Sequence, residues 1–472
     1  MSTPAVSNVV LVTVDSLRAD AIAPYNADRH TPVLRDLADD AAVFERAFAT
    51  GNWTPFSFPS IMASRPVFAD DGQIGVKSAP TLARTLSDAG LTTAGFNAAN
   101  GFLTGHWGYD DGFDQFEPFV ADVSSSMYSQ YLAKHPTVEA WVQLAAAPLR
   151  RLKALVSGRS NGRPFLDTSR MFDVESAAID MIETTDEPFF LWVHYMDPHT
   201  PYAPAPRYIR EVSTDVLGTH RMLHAHARTG LGWEVNDGTL ADLRTLYQAA
   251  VRQVDASIGR LRSTLKATGQ ADETALIIAG DHGEEFQEHG HLAHYPKLYD
   301  ELIHVPLIVD VPGQPARQIE QQVGLDAIPP TVVDLLDVSP PATWEGESLA
   351  PSVRAGTPPA SDPVVSITVR GEEVTTQPIP RSLADGDLLV SVREGDWTYI
   401  EHCGDDHVEL YHRPTDPEQT TNRAEDPTAD EQAIVDRCHE IVVAHADRLG
   451  ASDASGVTDD DIEARLAALG YR

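Results

Sequence analysis

Short runs of consecutive apolar residues alternate along the chain with stretches of helical periodicity. Residues 8–14 (NVVLVTV) are the first run, rich in β-branched side chains and ending abruptly at Asp15-Ser16. An apolar run without polar alternation fits a strand covered on both faces, as in a parallel sheet. The signal recurs at 91–96 (LTTAGF), 188–195 (PFFLWVHY), 274–279 (TALIIA) and 303–310 (IHVPLIVD). Between these runs, residues 32–47, 80–89, 173–183, 240–268 and 326–337 predict helices, the long one stopping near Gly269. Strands alternating with helices predict an α/β fold with a large, mostly parallel sheet flanked by helices.

A Pro-, Ser- and Ala-rich stretch at 338–363 marks a boundary. Beyond it, 388–400 and 408–412 predict an antiparallel meander and 428–448 a helix, which together make a smaller C-terminal α+β subdomain. The expected organisation is a main domain over 1–350, the sheet-and-helix subdomain over 360–450, and an acidic tail over 451–472 with a short helix at 459–469. The weakly patterned segments 120–168 and 203–235 are expected to be helical insertions near a substrate opening.

Charge sharpens the picture. There are 35 Lys+Arg against 70 Asp+Glu, a net charge of −35, and lysine occurs only at positions 77, 134, 153, 266 and 297. Such a chain repels itself at low salt. In molar salt the Debye length falls to about 3 Å and the repulsion largely disappears. A salt-loving, haloarchaeal-type source is the expectation. No basic stripe exists to release counterions from a nucleic acid, so none is expected as a partner. No run approaches the roughly 18 apolar residues of a membrane span. The N-terminus lacks a basic region before its apolar run, so a cytoplasmic location is expected. The two cysteines, Cys403 and Cys438, lack metal-like spacing and read as ordinary thiols.

Four places carry chemistry. Ligands of open α/β sheets bind beyond the carboxyl ends of the strands. Asp15 and Asp281 both stand at such ends. Taken alone, Asp15 reads as a helix cap before it reads as a metal ligand. The stretch IIAGDHGEEFQEHGHLAH joins Asp281 to His282 and then to His289, His291 and His294. Carboxylate and imidazole together suit a divalent cation, and Gly280 and Gly283 permit close approach of backbone and ligand. Ser57, in TPFSFPS, carries a hydroxyl that a cation could activate; alone it reads as a Ser-Pro turn. His199 ends the strand segment FFLWVHYMDPH and could hold an anionic oxygen or protonate a leaving group. His194, inside the apolar run, reads as a core residue.

The order of these pieces resembles the sulfatase family, within the alkaline phosphatase-like superfamily. The resemblance rests on VDSLRAD, TPVLRDLADDAAVFERAFA, SFPSIMAS, GFNAANGFLTGHWGYDDGFDQF, FLWVHYMDPHTPY, GDHGEEFQEHG, LYDELIHVPLIV and the late VREGDWTYI with ELYHRPTDPEQTTN, spanning about residues 8–425. It implies a metal centre of Asp15, Asp281, His282 and Ser57, holding one divalent cation. Calcium is typical of the family, and His282 also admits manganese or zinc. It implies His199 as an anion contact, and His294, or alternatively Lys297, in the place of the family lysine. Alignment on Pro59 puts Ser57 at the nucleophile position and Ile61 where the family's maturation pattern has arginine. Ser57 is therefore expected to act as formylglycine or as an unmodified serine.

The implied activity is hydrolysis of sulfate esters of small molecules or glycans. Phosphomonoester, phosphodiester or phosphonate hydrolysis is the alternative, and a non-catalytic anion- or glycan-binding relative a third reading.

Overall fold

The computed structural model describes residues 6–450 except 70–71, 121–169, 187, the greater part of 215–234, 371–379, 381 and 405–406. The expected insertion at 120–168, much of the one at 203–235 and the tail at 451–472 thus lie outside the described residues. In chain order the elements are β1 (Asn8–Val14), α1 (Pro32–Ala38), β2 (Ala42–Phe48), α2 (Thr54–Ala63), α3 (Leu82–Asp88), β3 (Thr92–Asn97), β4 (Gln115–Glu117), α4 (Met171–Thr184), β5 (Phe189–Tyr195), α5 (Pro206–Val212), α6 (Asp237–Thr268) and β6 (Thr274–Gly280). A two-stranded ribbon of β7 (Glu285–Phe286) and β8 (Leu292–Ala293) follows, then α7 (Asp300–Ile303), β9 (His304–Asp310), β10 (Arg317–Gly324), α8 (Ile328–Leu335) and α9 (Ala350–Ala355). The chain ends in β11 (Val364–Arg370), β12 (Asp387–Glu394), β13 (Trp397–His402), β14 (Val408–His412) and α10 (Ala429–Arg448).

The main sheet has eight strands in the order β10-β2-β9-β6-β1-β5-β3-β4. Only the pairings of β9 with β2 and β6 are antiparallel. The centre of the sheet is apolar on both faces. Val10, Val12 and Val14 of β1 enter the cluster under α4 and α6, while Val9 and Leu11 enter the opposite cluster with residues of α2, α3 and α8. Burying each such side chain contributes roughly 1.5–3 kcal/mol. The second sheet is a four-stranded antiparallel meander, β11-β12-β13-β14, covered by α10. Among the described residues no helix is long and apolar enough to cross a membrane.

The elements that depart from the sequence reading include β2 and β10. The helix expected over 32–47 stops at Ala38, and Ala42–Phe48 is a strand. Asp39 and Asp40 turn the chain, and the Val-Phe pair then zips between β9 and β10, so sheet pairing overrides local periodicity. Strand β10 (RQIEQQVG) is polar because it is an edge strand with several side chains in solvent.

The small sheet is tied to the main one by a part-buried ion cluster. Asp300, at the start of α7, accepts from Arg413 Nε at 2.8 Å and from Arg393 Nη2 at 3.2 Å. Burial opposes the charge on Asp300, but Arg413 and Arg393 outweigh it and hold the carboxyl below its ordinary range. Arg393 is fully buried and its other Nη2 contact is the carbonyl of Leu298 at 2.6 Å. Asp300→Ala strands that guanidinium. The expected cost is about 3–5 kcal/mol, read as a lower urea midpoint at constant slope. Because the folded carboxyl titrates below the unfolded one, the wild-type advantage is full above the unfolded value and shrinks as acid is added.

Candidate active site

In the parallel pair β1–β6, Val14 lies opposite Gly280, so the two strands end side by side. The next residues are Asp15 and Asp281. Their amides continue the sheet: Asp15 N donates to Tyr195 O at 2.8 Å and Asp281 N to Val14 O at 3.2 Å. Sheet register alone therefore brings two carboxylates together, both fully buried. Ser16 adopts φ 57°, which turns its amide onto Asp281 Oδ1 at 3.1 Å, and His282 N donates to the same oxygen at 2.8 Å. Gly280 and Gly283 serve close packing of chain on chain. An added Cβ would lie 2.4 Å from Leu17 O at Gly280 and 2.0 Å from Glu301 O at Gly283.

His282 reaches back over the pair. Its Nδ1 faces the Gly283 carbonyl at 2.9 Å, which leaves Nε2 3.4 Å from Asp15 Oδ1 and 3.7 Å from Asp281 Oδ2. Ligand atoms of Asp15, Asp281 and His282 all fall within 4.8 Å of one another. Burial and the adjacent Asp15 push Asp281 well above the usual carboxylate range. On Asp15, burial is outweighed by His199, His194 and His282, which hold it ionised. Burial pulls His282 down to about 4, so its imidazole is neutral at pH 7. Asp281 Oδ2 is buried with no hydrogen-bond partner. Two carboxylates, a neutral imidazole and an orphaned acceptor fit a divalent cation.

Two hydroxyls reach this cluster: Ser16 Oγ donates to Asp15 Oδ1 at 3.1 Å, and Thr54 stands beside both Asp15 and His282. Thr54 is the first residue of α2, followed by Pro55 in the first turn where a missing N–H costs nothing. Its Oγ1 donates to Asp15 Oδ2 at 3.2 Å and lies 3.4 Å from His282 Nε2. Asn100, from the loop after β3, donates to Asp15 Oδ2 at 3.1 Å and to Thr54 Oγ1 at 3.3 Å. Helix N-terminal amides also favour negative charge at that position. Ser57 sits one turn further into α2, fully buried, its Oγ without a hydrogen-bond partner. Alignment on Pro59 points three residues past the helix start; Thr54-Pro55 is the signal that locates it.

The histidines form a file of rings. His199 is 4.9 Å from His294 by ring centroids, and His294 is 5.1 Å from His282. His199 Nδ1 faces the Thr200 carbonyl at 2.6 Å, leaving Nε2 for a ligand. His294 Nδ1 lies 3.3 Å from Glu284 Oε2. Burial lowers its proton affinity, but Glu284 outweighs this and raises it. Tyr202 fixes the other Glu284 oxygen at 2.6 Å. Lys297 instead sits 3.4 Å from both oxygens of Glu285 and donates to His289 O. His194 is buried, as expected of a core residue, yet its Nε2 comes within 3.7 Å of Asp15 Oδ2 and so backs the site.

A mostly parallel α/β sheet with paired acidic residues at adjacent strand ends can hold a divalent cation beyond the carboxyl edge of the sheet. The sulfatase family profile matches residues 7–338, and the chain belongs to that family. It is 24% identical over 486 residues to a choline-sulfatase of Rhizobium meliloti, covering 95% of this chain and 88% of that protein. It is 30% identical over 202 residues to the multifunctional alkaline phosphatase superfamily protein PehA of Trinickia caryophylli, covering 36% of this chain and 38% of that one. The phosphonate monoester hydrolase structure from Agrobacterium radiobacter superposes with a TM-score of 0.69 at 20% identity, covering 93% of this chain and 96% of that one. At that identity the likeness speaks for the fold.

Proposed function

We propose that the protein is a metal-dependent hydrolase of anionic esters in which Thr54 is the nucleophile, acting on phosphoric or phosphonic esters. The observation that carries this reading is the position of Thr54 Oγ1, 3.2 Å from Asp15 and 3.4 Å from His282 at a helix N-terminus. Formylglycine is an aldehyde made at the CH2 carbon of cysteine or serine. The β-carbon of Thr54 carries a methyl group and would yield a ketone, which favours an unmodified alkoxide.

Asp15, Asp281 and His282 would hold the cation, whose charge would lower the pKa of a nearby hydroxyl and offset that of the ester. Thr54 Oγ1, its proton lost to solvent, forms a bond to phosphorus in line as the bond from phosphorus to the ester oxygen breaks. His199 and His294 hold the non-bridging oxygens, and one of them gives the leaving oxygen its proton. Asn100 orients both Thr54 and Asp15. Water then releases the phosphoryl group from Thr54.

Sulfate-ester hydrolysis through Ser57, as formylglycine or serine, is the second reading, supported by the likeness to choline-sulfatase. Aryl phosphate, phosphonate and sulfate esters assayed side by side, with peptide mass analysis across residues 51–65, separate the two. A phosphoryl adduct trapped on Thr54 supports the first reading; an oxidised Ser57 sinks it.

The net charge of −35 supports a salt-rich working environment. Raising salt from about 0.1 M to about 1 M shortens the Debye length from about 10 Å to about 3 Å. The urea midpoint is expected to rise across that range. A flat or falling midpoint would remove the halophilic reading.

A further inference from the structure

The turn between β13 and β14 carries a second group of metal-competent side chains. His402 ends β13, and its amide donates to the carbonyl of His407 at 3.1 Å, closing the hairpin. Glu409 lies opposite Ile400 in the same pairing. His402 is two residues from Ile400, and His407 two from Glu409, so all three side chains stand on one face of the ribbon. The nearest ligand atoms of the three lie within 4.8 Å of one another.

The two oxygens of Glu409 have different surroundings. Oε2 accepts from Tyr299 at 2.8 Å and from Tyr411 at 2.7 Å. Oε1 faces both imidazoles, with His402 Nε2 and His407 Nε2 each at 3.4 Å. That spacing is long for a hydrogen bond, whose usual length is about 2.9–3.0 Å. It matches the edge of a tetrahedral zinc site, where bonds of about 2.0–2.1 Å place two donors about 3.4 Å apart. The tyrosines supply the outer contacts that orient a ligating carboxylate. The burial is graded: side-chain exposure is 9% for Glu409, 15% for His402 and 55% for His407, so the group opens to water on one side.

We infer that His402, His407 and Glu409 form a second metal site, separate from the Asp15 centre, for a transition cation of the zinc type. Two imidazoles and one carboxylate favour zinc, copper or nickel over calcium or magnesium, which prefer oxygen donors. A cation there fastens the hairpin to Tyr299, whose ring stacks on His289 at 3.6 Å.

The test is zinc stoichiometry on the full chain. Protein stripped with a chelator is dialysed against zinc, and bound metal is counted in wild type and in the His402→Gln/His407→Gln variant. The variant is expected to hold about one equivalent fewer, and to lose the zinc-induced rise in Tm that binding to the native state gives. Cobalt in place of zinc is expected to add a visible absorption band absent from the variant. His407→Gln alone, at an exposed position, serves if the double variant folds poorly, and should weaken zinc binding at least tenfold, roughly the loss expected of a ligand. Equal zinc counts and equal cobalt spectra in wild type and variants would overturn the proposal.

Discussion

Thr54→Ala is expected to lower kcat by about 10³-fold or more while the circular dichroism spectrum stays unchanged. Thr54 has a small side chain at a helix start, and α2 is anchored by the wholly buried Phe56, Phe58 and Ile61. Losing the hydroxyl therefore removes chemistry more than packing. Thr54→Ser keeps an oxygen at the same atom and should recover most of the rate. Ser57→Ala should stay within about tenfold of wild type, since its Oγ makes no hydrogen bond whose loss would be felt. The opposite ranking, with Ser57→Ala dead and Thr54→Ala active, would return the nucleophile to Ser57.

Stripping divalent cations is expected to abolish turnover to a similar degree, with activity restored by adding metal back. Asp15 and Asp281 are buried side by side, and their repulsion helps push Asp281 out of its ordinary range. A cation between them removes that conflict. Asp281→Asn leaves one carboxylate and should bind metal more weakly, which a titration of activity against metal concentration reads directly. The donor His282 Nε2 predicts that manganese or zinc restores activity better than calcium. His282→Asn, an all-oxygen set, should shift the preference toward calcium. Full activity in excess chelator, with no metal detectable in the protein, would be decisive against this centre.

The sheet is legible in the sequence wherever strands are buried on both faces. β1, β5, β6 and β9 are largely apolar runs, and Asp15 and Asp281, the residues that follow β1 and β6, can be placed at strand ends from the amino-acid order. β2 and β10 are not legible. β2 follows a helix after only a short turn, and β10 is half in water, so neither shows the pattern of a buried strand. At the site, contacts set by register are readable and contacts set by loops are not. Thr54 reads as part of a Ser-Pro turn, and its role depends on where α2 begins. Asn100 carries no pattern, because the loop after β3 positions it through Asn97, which donates to the carbonyls of Asn100 and Leu103. The resemblance favours His294 for the anion contact with Lys297 as the alternative, and the structure sets Lys297 against Glu285 and His294 in the file of rings.

The loop that leads into α2 hangs from the far end of the chain. Ile367 N donates to Thr50 O at 2.9 Å, and Ser366 Oγ to Ala49 O at 2.6 Å across a separation of 317 residues. A polypeptide still growing on the ribosome, or cut short of residue 366, holds both aspartates but lacks the strand that steadies the loop before Thr54. The loop before Thr54 thus gains these two supports only when residues 366 and 367 are in place.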